Sequence, residues 1–166
     1  INRAIVALVG AAAVILVGVL FLDEAMASVD WNTLGLLLGM MLIVNITRRS
    51  GLFQYVAIWS AKKVDAKPWG ILLMMSIVTA VFSALLDNVT TVLLTVPVTL
   101  LITDALKVKA YPYLFAQIFA SNIGGTATLI GDPPNIMIGN AAGLSFNDFI
   151  VNNLPGVIAI LSVVTV

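Results

Sequence analysis

The chain of 166 residues is 61% apolar and only 10% charged, with a net charge of zero. A soluble domain is about half apolar and a quarter charged, so this composition indicates an integral membrane protein. The neutral balance, without a dense Lys/Arg cluster, argues against nucleic acid as a partner, and the absence of cysteine excludes disulfides and thiolate metal sites. No catalytic motif or phosphate-binding loop is present, so we expect neither an enzyme nor a cofactor.

Long uncharged runs divide the sequence, and a full membrane span takes about 20 residues. Several runs have this length and others are short or paired, which predicts an all-α polytopic membrane protein. The first residue is Ile and the last apolar run lacks a charged flank, so we expect a piece of a longer polypeptide. In chain order the runs are 4–22, 31–47, 68–86, 88–103, 110–131, 133–147 and 149–166.

Two transmembrane helices are predicted within residues 1–47, and basic residues predict their orientation. Arg3 precedes the first run, and five Lys or Arg residues lie in segment 48–67. The positive-inside rule places the N-terminus and segment 48–67 in the cytoplasm, with the acidic turn around 23–30 outside. Segment 48–67 is either a helix lying at the membrane interface or a plain cytoplasmic connector.

Residues 68–103 have two interpretations. Both flanks carry Lys on the same side, and the middle reads Asp87-Asn88-Val89-Thr90-Thr91. Two full spans would need an external turn of a few residues without Gly or Pro. A re-entrant hairpin that enters from the cytoplasm would instead place its polar tip in a cavity at membrane depth. We favour the hairpin, and the two-span alternative stays open.

Segment 112–142 is predicted to be a transmembrane helix broken within residues 121–135. Glycines there let the backbone leave the helix, and Pro133 and Pro134 forbid its simple continuation. Backbone freed at membrane depth must be buried in protein or line an aqueous cavity, and such breaks point to the binding sites of transporters. Residues 143–166 are expected to form an external loop and the start of a further transmembrane helix.

The two polar breaks supply the candidate binding residues. An ionised carboxylate at membrane depth costs about 2.5–3.5 kcal/mol even on lenient scales unless it is paired, hydrated or protonated. Asp87 and Asp132 are therefore candidates for binding a coupling ion or a proton, and the alternative is that each caps the following helix. The candidate substrate- or ion-binding residues are Asp87, Asn88, Thr90, Thr91, Ser121, Asn122, Gly124, Gly125, Thr126, Thr128, Asp132, Pro133 and Asn135.

The two motifs together resemble the ion transporter superfamily. The first is residues 87–91 followed by Thr95-Val96-Pro97, and the second runs from Ser121-Asn122 through Gly131-Asp132-Pro133-Pro134-Asn135. This superfamily includes divalent anion/sodium symporters, citrate-transporter-like permeases, arsenite permeases and the melanosomal P protein. The form of both motifs looks most like the P protein branch and its bacterial relatives, which implies the inner (plasma) membrane of a prokaryote.

The resemblance implies one half of an inverted-repeat transporter, often a homodimer, whose second repeat belongs to the same polypeptide. Residues 1–47 would be scaffold helices, 48–67 the arm, and 68–142 the transport-domain hairpin and broken helix. It implies a sodium site at Asp87, Asn88 and Gly125, with substrate contacts at Asn88, Val89, Pro133 and Asn135 as the motif positions correspond. The partners would be the lipid bilayer and a small ion or solute.

One departure from the superfamily pattern bears on the substrate. Dicarboxylate symporters usually have Ser-Asn-Thr at the hairpin tip and Gly-Thr-Pro-Pro in the break, whereas here Asp87 and Asp132 add two carboxylates. Two negative charges oppose a dianion. We therefore expect a secondary active transporter coupled to sodium or protons, such as a sodium/proton exchanger or an anion/arsenite-type transporter. The alternatives are a passive anion channel and a dicarboxylate or citrate symporter.

Overall fold

Residues 2–65 and 67–164 are the part of the chain that the computed structural model describes, and they contain helices and no strands. Residues 1, 66 and 165–166, which belong to the predicted segments 1–47, 48–67 and 143–166, lie outside this part, as does the side chain of Arg3. The helices are α1 (Arg3–Leu16), α2 (Leu22–Ala27), α3 (Trp31–Arg49), α4 (Leu52–Lys63), α5 (Pro68–Leu85), α6 (Asn88–Ala105), α7 (Tyr111–Gly125), α8 (Pro133–Ala142) and α9 (Phe146–Val164).

Residues Ile1–Leu36 form one compact unit and Leu37–Val166 a second one. In the first unit, α1 begins after Asn2, whose side-chain oxygen accepts a hydrogen bond from the Ala4 N–H at 3.0 Å. It ends after 14 residues, and Gly18 follows with a left-handed φ of 75°. The apolar run 4–22 is therefore a short helix and a turn, because the backbone leaves the helix before Gly18.

In the second unit, α5 and α6 form an antiparallel helical hairpin whose tip is at Leu86 and Asp87. Ile71 and Met75, early in α5, share a buried cluster with Val98, late in α6. Each helix has 18 residues and is apolar enough to cross a membrane. The predicted hairpin is thus present, and its re-entrant position in the membrane stays a prediction.

Helix α7 packs parallel to α5 along its whole length. The Tyr113 hydroxyl donates to the Pro68 carbonyl at 3.1 Å near the start of both helices, and the Ser83 hydroxyl donates to the Ser121 carbonyl at 2.6 Å near their ends. The two helices touch where Gly124 meets Ala80, since a Cβ on Gly124 would overlap the Ala80 carbonyl. Helices α5 and α7 therefore begin at the same end of the bundle, and their entry from the cytoplasmic side of the membrane stays a prediction.

Helix α4 runs along the hairpin from its tip towards its base. Phe53 stacks edge-on against Phe82 with ring centroids 5.0 Å apart, and Ala57 is buried against Ile71 and Met75. At its far end, Val64 packs against Gly70. Helices α3 and α4 meet at a bend of 60°. The predicted interfacial position of this arm stays a prediction.

Among the described residues, three helices are long and apolar enough to span a membrane, or up to four if the bent pair α3 and α4 counts as one span. The three are α5, α6 and α9. Together with the composition, these helices identify an integral membrane protein.

Candidate functional site

The hairpin tip is organised by Asp87, which occupies the N-cap of α6. Its Oδ2 accepts a hydrogen bond from the Thr90 backbone N–H at 2.8 Å. This confirms the predicted capping role of Asp87. The cap uses one carboxylate oxygen, and a carboxylate has acceptor capacity on both. Capping therefore leaves Asp87 able to bind a cation.

The helix break extends from Thr126 to Asp132, since α7 ends at Gly125 and α8 begins at Pro133. The Asn135 side-chain amide closes the break by donating to the carbonyls of Gly125 at 3.2 Å and Thr128 at 2.9 Å. The end of an α-helix leaves its last carbonyls without intrahelical donors, and Asn135 satisfies one of those carbonyls and another inside the break. Asn135 is thus required for the shape of the break.

Asp132 occupies the N-cap of α8, but its side chain accepts no capping hydrogen bond. The prediction that its carboxylate caps the helix is wrong for a simple reason. An N-cap side chain accepts from the second or third helical N–H, and Pro134 at the second position has none. The third N–H, from Asn135, bonds the Asp132 carbonyl at 3.0 Å. The Asp132 carboxylate therefore takes no part in helix capping.

The hairpin tip and the helix break lie against each other. The Asn88 side-chain amide donates to the Asn122 side-chain oxygen at 3.0 Å, and the Thr128 hydroxyl donates to the Ala84 carbonyl. Asp87 lies at the hairpin tip before α6, and Asp132 is the last residue of the break before α8. The two polar breaks thus form one constellation with two acidic groups.

Three cavities flank this constellation. The first, which we call the Asp87 cavity, has a volume of about 360 Å³, and its polar lining comes from Asn45, Arg48, Asp87 and Thr90. A second, of about 260 Å³, is lined by Asn88, Ser121 and Asn122 among apolar residues. The third, of about 420 Å³, lies between α8 and α9, and its polar lining residues are Asn135, Asp148, Asn152 and Asn153.

The predicted site residues divide into two groups. Asp87, Thr90 and Pro133 line the Asp87 cavity, and Asn88, Ser121, Asn122 and Asn135 line the other two. The remaining candidates other than Asp132 take part in packing or in local hydrogen bonds. Thr91 is fully buried and Thr126 bonds the carbonyl of Ile123 in its own helix at 2.7 Å. Thr128 accepts from the Gly131 N–H at 3.1 Å, and Gly124 and Gly125 pack at the crossing.

Arg48 and Asn45 are residues of the Asp87 cavity that the sequence reasoning missed. By sequence alone, Arg48 belongs with Lys62 and Lys63 to the basic segment 48–67 that is predicted to be cytoplasmic. Its position at the tip end of α4 separates it from those lysines by the length of a 12-residue helix, about 18 Å. A signal was present, since Met41, Val44, Asn45 and Arg48 recur at the three- and four-residue spacing of one helix face.

The donor set of the site consists of two carboxylates, side-chain amides and backbone carbonyls. Within the described residues no group of three or more His, Cys, Asp or Glu could hold a metal ion. Unwound carbonyls with a carboxylate suit a monovalent cation at a broken transporter helix. Of the predicted sodium ligands, the Gly125 carbonyl already accepts a bond from Asn135, and Asp87 and Asn88 lie at the hairpin tip.

A helical hairpin set against a broken helix, with polar groups where they meet, is the architecture of membrane transporters. The whole chain, residues 1–166, matches the citrate transporter family (CitMHS), and the chain belongs to this family. The match confirms the resemblance carried by the two motifs. A family of transporters also agrees with the prediction that the chain is not an enzyme.

Named relatives extend this match. An uncharacterized transporter of Mycobacterium tuberculosis is 49% identical over 165 residues, covering 97% of this chain and 39% of the relative. A 46 kDa membrane protein of Mycobacterium leprae is 49% identical over 169 residues, with 99% and 39% covered. The human P protein is 39% identical over 140 residues, with 81% and 17% covered. The chain thus spans about two fifths of the bacterial relatives it matches.

Proposed function

We propose that this chain forms part of a secondary active transporter in which Asp87 and Asp132 bind the coupling cation, sodium or a proton. The observation that carries the proposal is the meeting of the hairpin tip and the helix break. Asn88 bonds Asn122 across the two motifs, and the hairpin tip and the helix break each contain a carboxylate. Polar groups gathered at membrane depth serve a function by default, because they cost stability otherwise.

Electrostatics favours a cation as the first ligand. A carboxylate at membrane depth costs about 2.5–3.5 kcal/mol unless it is paired, hydrated or protonated. A proton or a sodium ion bound at Asp87 and Asp132 would remove this cost. The carboxylates also have acceptor capacity beyond helix capping, since Asp87 caps with Oδ2 and Asp132 does not cap at all.

The two ligands would use neighbouring groups. Sodium would contact Asp87, Asn88 and the Gly125 carbonyl. The substrate, a small ion or solute, would contact Asn88, the Val89 backbone, Pro133 and Asn135. The N-terminus of α6 behind Asp87 has backbone N–H groups that suit an anionic part of a substrate, whereas α8 begins with Pro133 and Pro134, which have none.

Symport of a citrate-like anion is the second candidate, and the family description as citrate transporters favours it. Its difficulty is the pair of carboxylates, which a dianion would approach only after cations had neutralised them. A passive anion channel built from the same helices would conduct without a coupling gradient.

The complete transporter needs more than this chain. We infer that a second, inverted repeat of the same polypeptide supplies the other half of the site, and that two copies form a homodimer in the inner membrane of a prokaryote. The positive-inside rule places the start of the chain in the cytoplasm. Exchange would proceed by movement of the hairpin and broken helix against the scaffold helices.

Flux in proteoliposomes tests the proposal. We expect the full-length protein to change internal pH, or to take up substrate, when a sodium or proton gradient is imposed. Asp87→Asn and Asp132→Asn should each reduce this flux by at least a hundredfold while the protein still inserts. Asp104→Asn is the matched control, since Asp104 lies at the other end of α6 and is exposed. Wild-type flux in both site variants would refute the proposal.

A further inference from the structure

Arg48 is a permanently charged residue that shares a cavity with Asp87. It lies in the last turn of α3, and the Asp87 cavity is lined by Arg48, Asn45, Asp87, Thr90 and Pro133 together with apolar side chains of α3. A guanidinium does not lose its proton in proteins. The cavity therefore contains a fixed positive charge as well as a carboxylate.

The Arg48 side chain makes no salt bridge or hydrogen bond within the described residues, and it is exposed to the cavity and its surroundings. Asp87 uses Oδ2 for the Thr90 N–H, and its other oxygen has no hydrogen bond to the described residues. A long, flexible arginine that lines the same cavity has a carboxylate within the space it can cross by changing rotamer. The fork of the guanidinium matches a carboxylate geometrically.

The charges around the cavity favour a pair between Arg48 and Asp87. Of the residues that line the Asp87 cavity, Asp87 is the acidic one and Arg48 is the basic one. Unpaired carboxylates at membrane depth are costly, and a buried charge is tolerated when a partner neutralises it. Arg49, the neighbour of Arg48, does not line the cavity, and Lys62 and Lys63 lie at the far end of α4, about 18 Å away.

We propose that Arg48 is the internal counter-ion of Asp87, pairing with it when the coupling cation has left and withdrawing when the cation returns. The inference rests on the proposed function, because it assigns Arg48 to the same cation site. Arg48 is then a residue that sets cation affinity by competition. The Asp87 carboxylate then keeps a cationic partner when the site is empty.

A double-mutant cycle tests the pairing directly. Arg48→Gln, Asp87→Asn and the double variant of the full-length protein are compared by unfolding temperature, in choline and in sodium, and at neutral and acid pH. We expect the double variant in choline to unfold well above the temperature expected if the two single effects were additive. Sodium or acid should abolish this difference. Arg48→Gln alone should bind the coupling cation about tenfold more tightly, as expected when a competing charge-assisted pair is lost.

The adjacent Arg49 provides the matched control, since it has the same charge, lies in the same helical turn and does not line the cavity. A cycle of Arg49→Gln with Asp87→Asn should be additive. Additive effects for Arg48, or coupling that neither sodium nor acid changes, would overturn the inference. An additive cycle with weaker citrate binding would make Arg48 an anion ligand instead. Unfolding temperatures require no flux, so failure of the proposed function would show separately in the proteoliposomes.

Discussion

Gln117 is a fully buried residue between α6 and α7, and only one end of its amide is hydrogen-bonded. Its Nε2 donates to the Thr99 hydroxyl at 2.7 Å, while Oε1 has no hydrogen-bond partner among the residues that the structure describes. The Thr99 hydroxyl donates in turn to the Thr95 carbonyl at 3.1 Å. The bond therefore matters more to Gln117 than to Thr99, since Thr99 has a second partner.

This asymmetry predicts the effect of two substitutions of similar size. Thr99→Val leaves the whole Gln117 amide buried without a partner and should destabilise the protein by about 1–3 kcal/mol. Gln117→Leu removes the amide and leaves Thr99 bonded to Thr95, so it should cost less. Thermal unfolding of the full-length protein measures both, with Thr99→Ser as the control that keeps the hydroxyl. A larger loss for Gln117→Leu would contradict the prediction.

At the scale of the elements, helix ends followed the sequence where a local residue decides them. Asp87 caps α6 as one interpretation of the sequence predicted, and Gly143 ends α8 with a left-handed φ of 65°. The failure at Asp132 came from Pro134, whose missing N–H removes the donor that a cap requires. Helix α1 ends just before Gly18, well before the end of the apolar run 4–22, and hydropathy alone does not reveal this.

The crossing of α5 and α7 depends on the absence of a side chain at Gly124. We expect Gly124→Ala to force the helices apart, because its Cβ would overlap the backbone of Ala80. Overpacking typically costs about 1–3 kcal/mol, and backbone on both sides leaves little room for relaxation. Transport and unfolding temperature should both fall. Gly156→Ala in α9 is the control, since a Cβ there meets nothing within 4 Å. Equal behaviour of the two variants would contradict the close approach.

At the scale of the whole molecule, charge patterns predicted less than motifs did. The motifs at 87–91 and 121–135 identified the two breaks, and helical packing brings them together through Asn88 and Asn122. The cluster at 48–67 was treated as one basic flank, yet α4 separates Arg48 from Lys62 along the hairpin. Which part of the hairpin each basic residue faces depends on how α4 packs against it. Sequence order alone therefore does not place Arg48 near Asp87.

The central claim is that the hairpin tip and the helix break form one site, and crosslinking in the membrane tests it most directly. Asn88→Cys and Asn122→Cys are combined in the full-length protein freed of other cysteines, and a short bifunctional thiol reagent is added. We expect efficient crosslinking and loss of transport, because the two side chains are 3.0 Å apart at their amide atoms. The pair Asp104→Cys and Asn122→Cys should not react together, since Asp104 lies at the end of α6 far from the hairpin tip and Asn122 of α7 lies near that tip. Absence of crosslinking between 88 and 122, or equal crosslinking of both pairs, would contradict the claim.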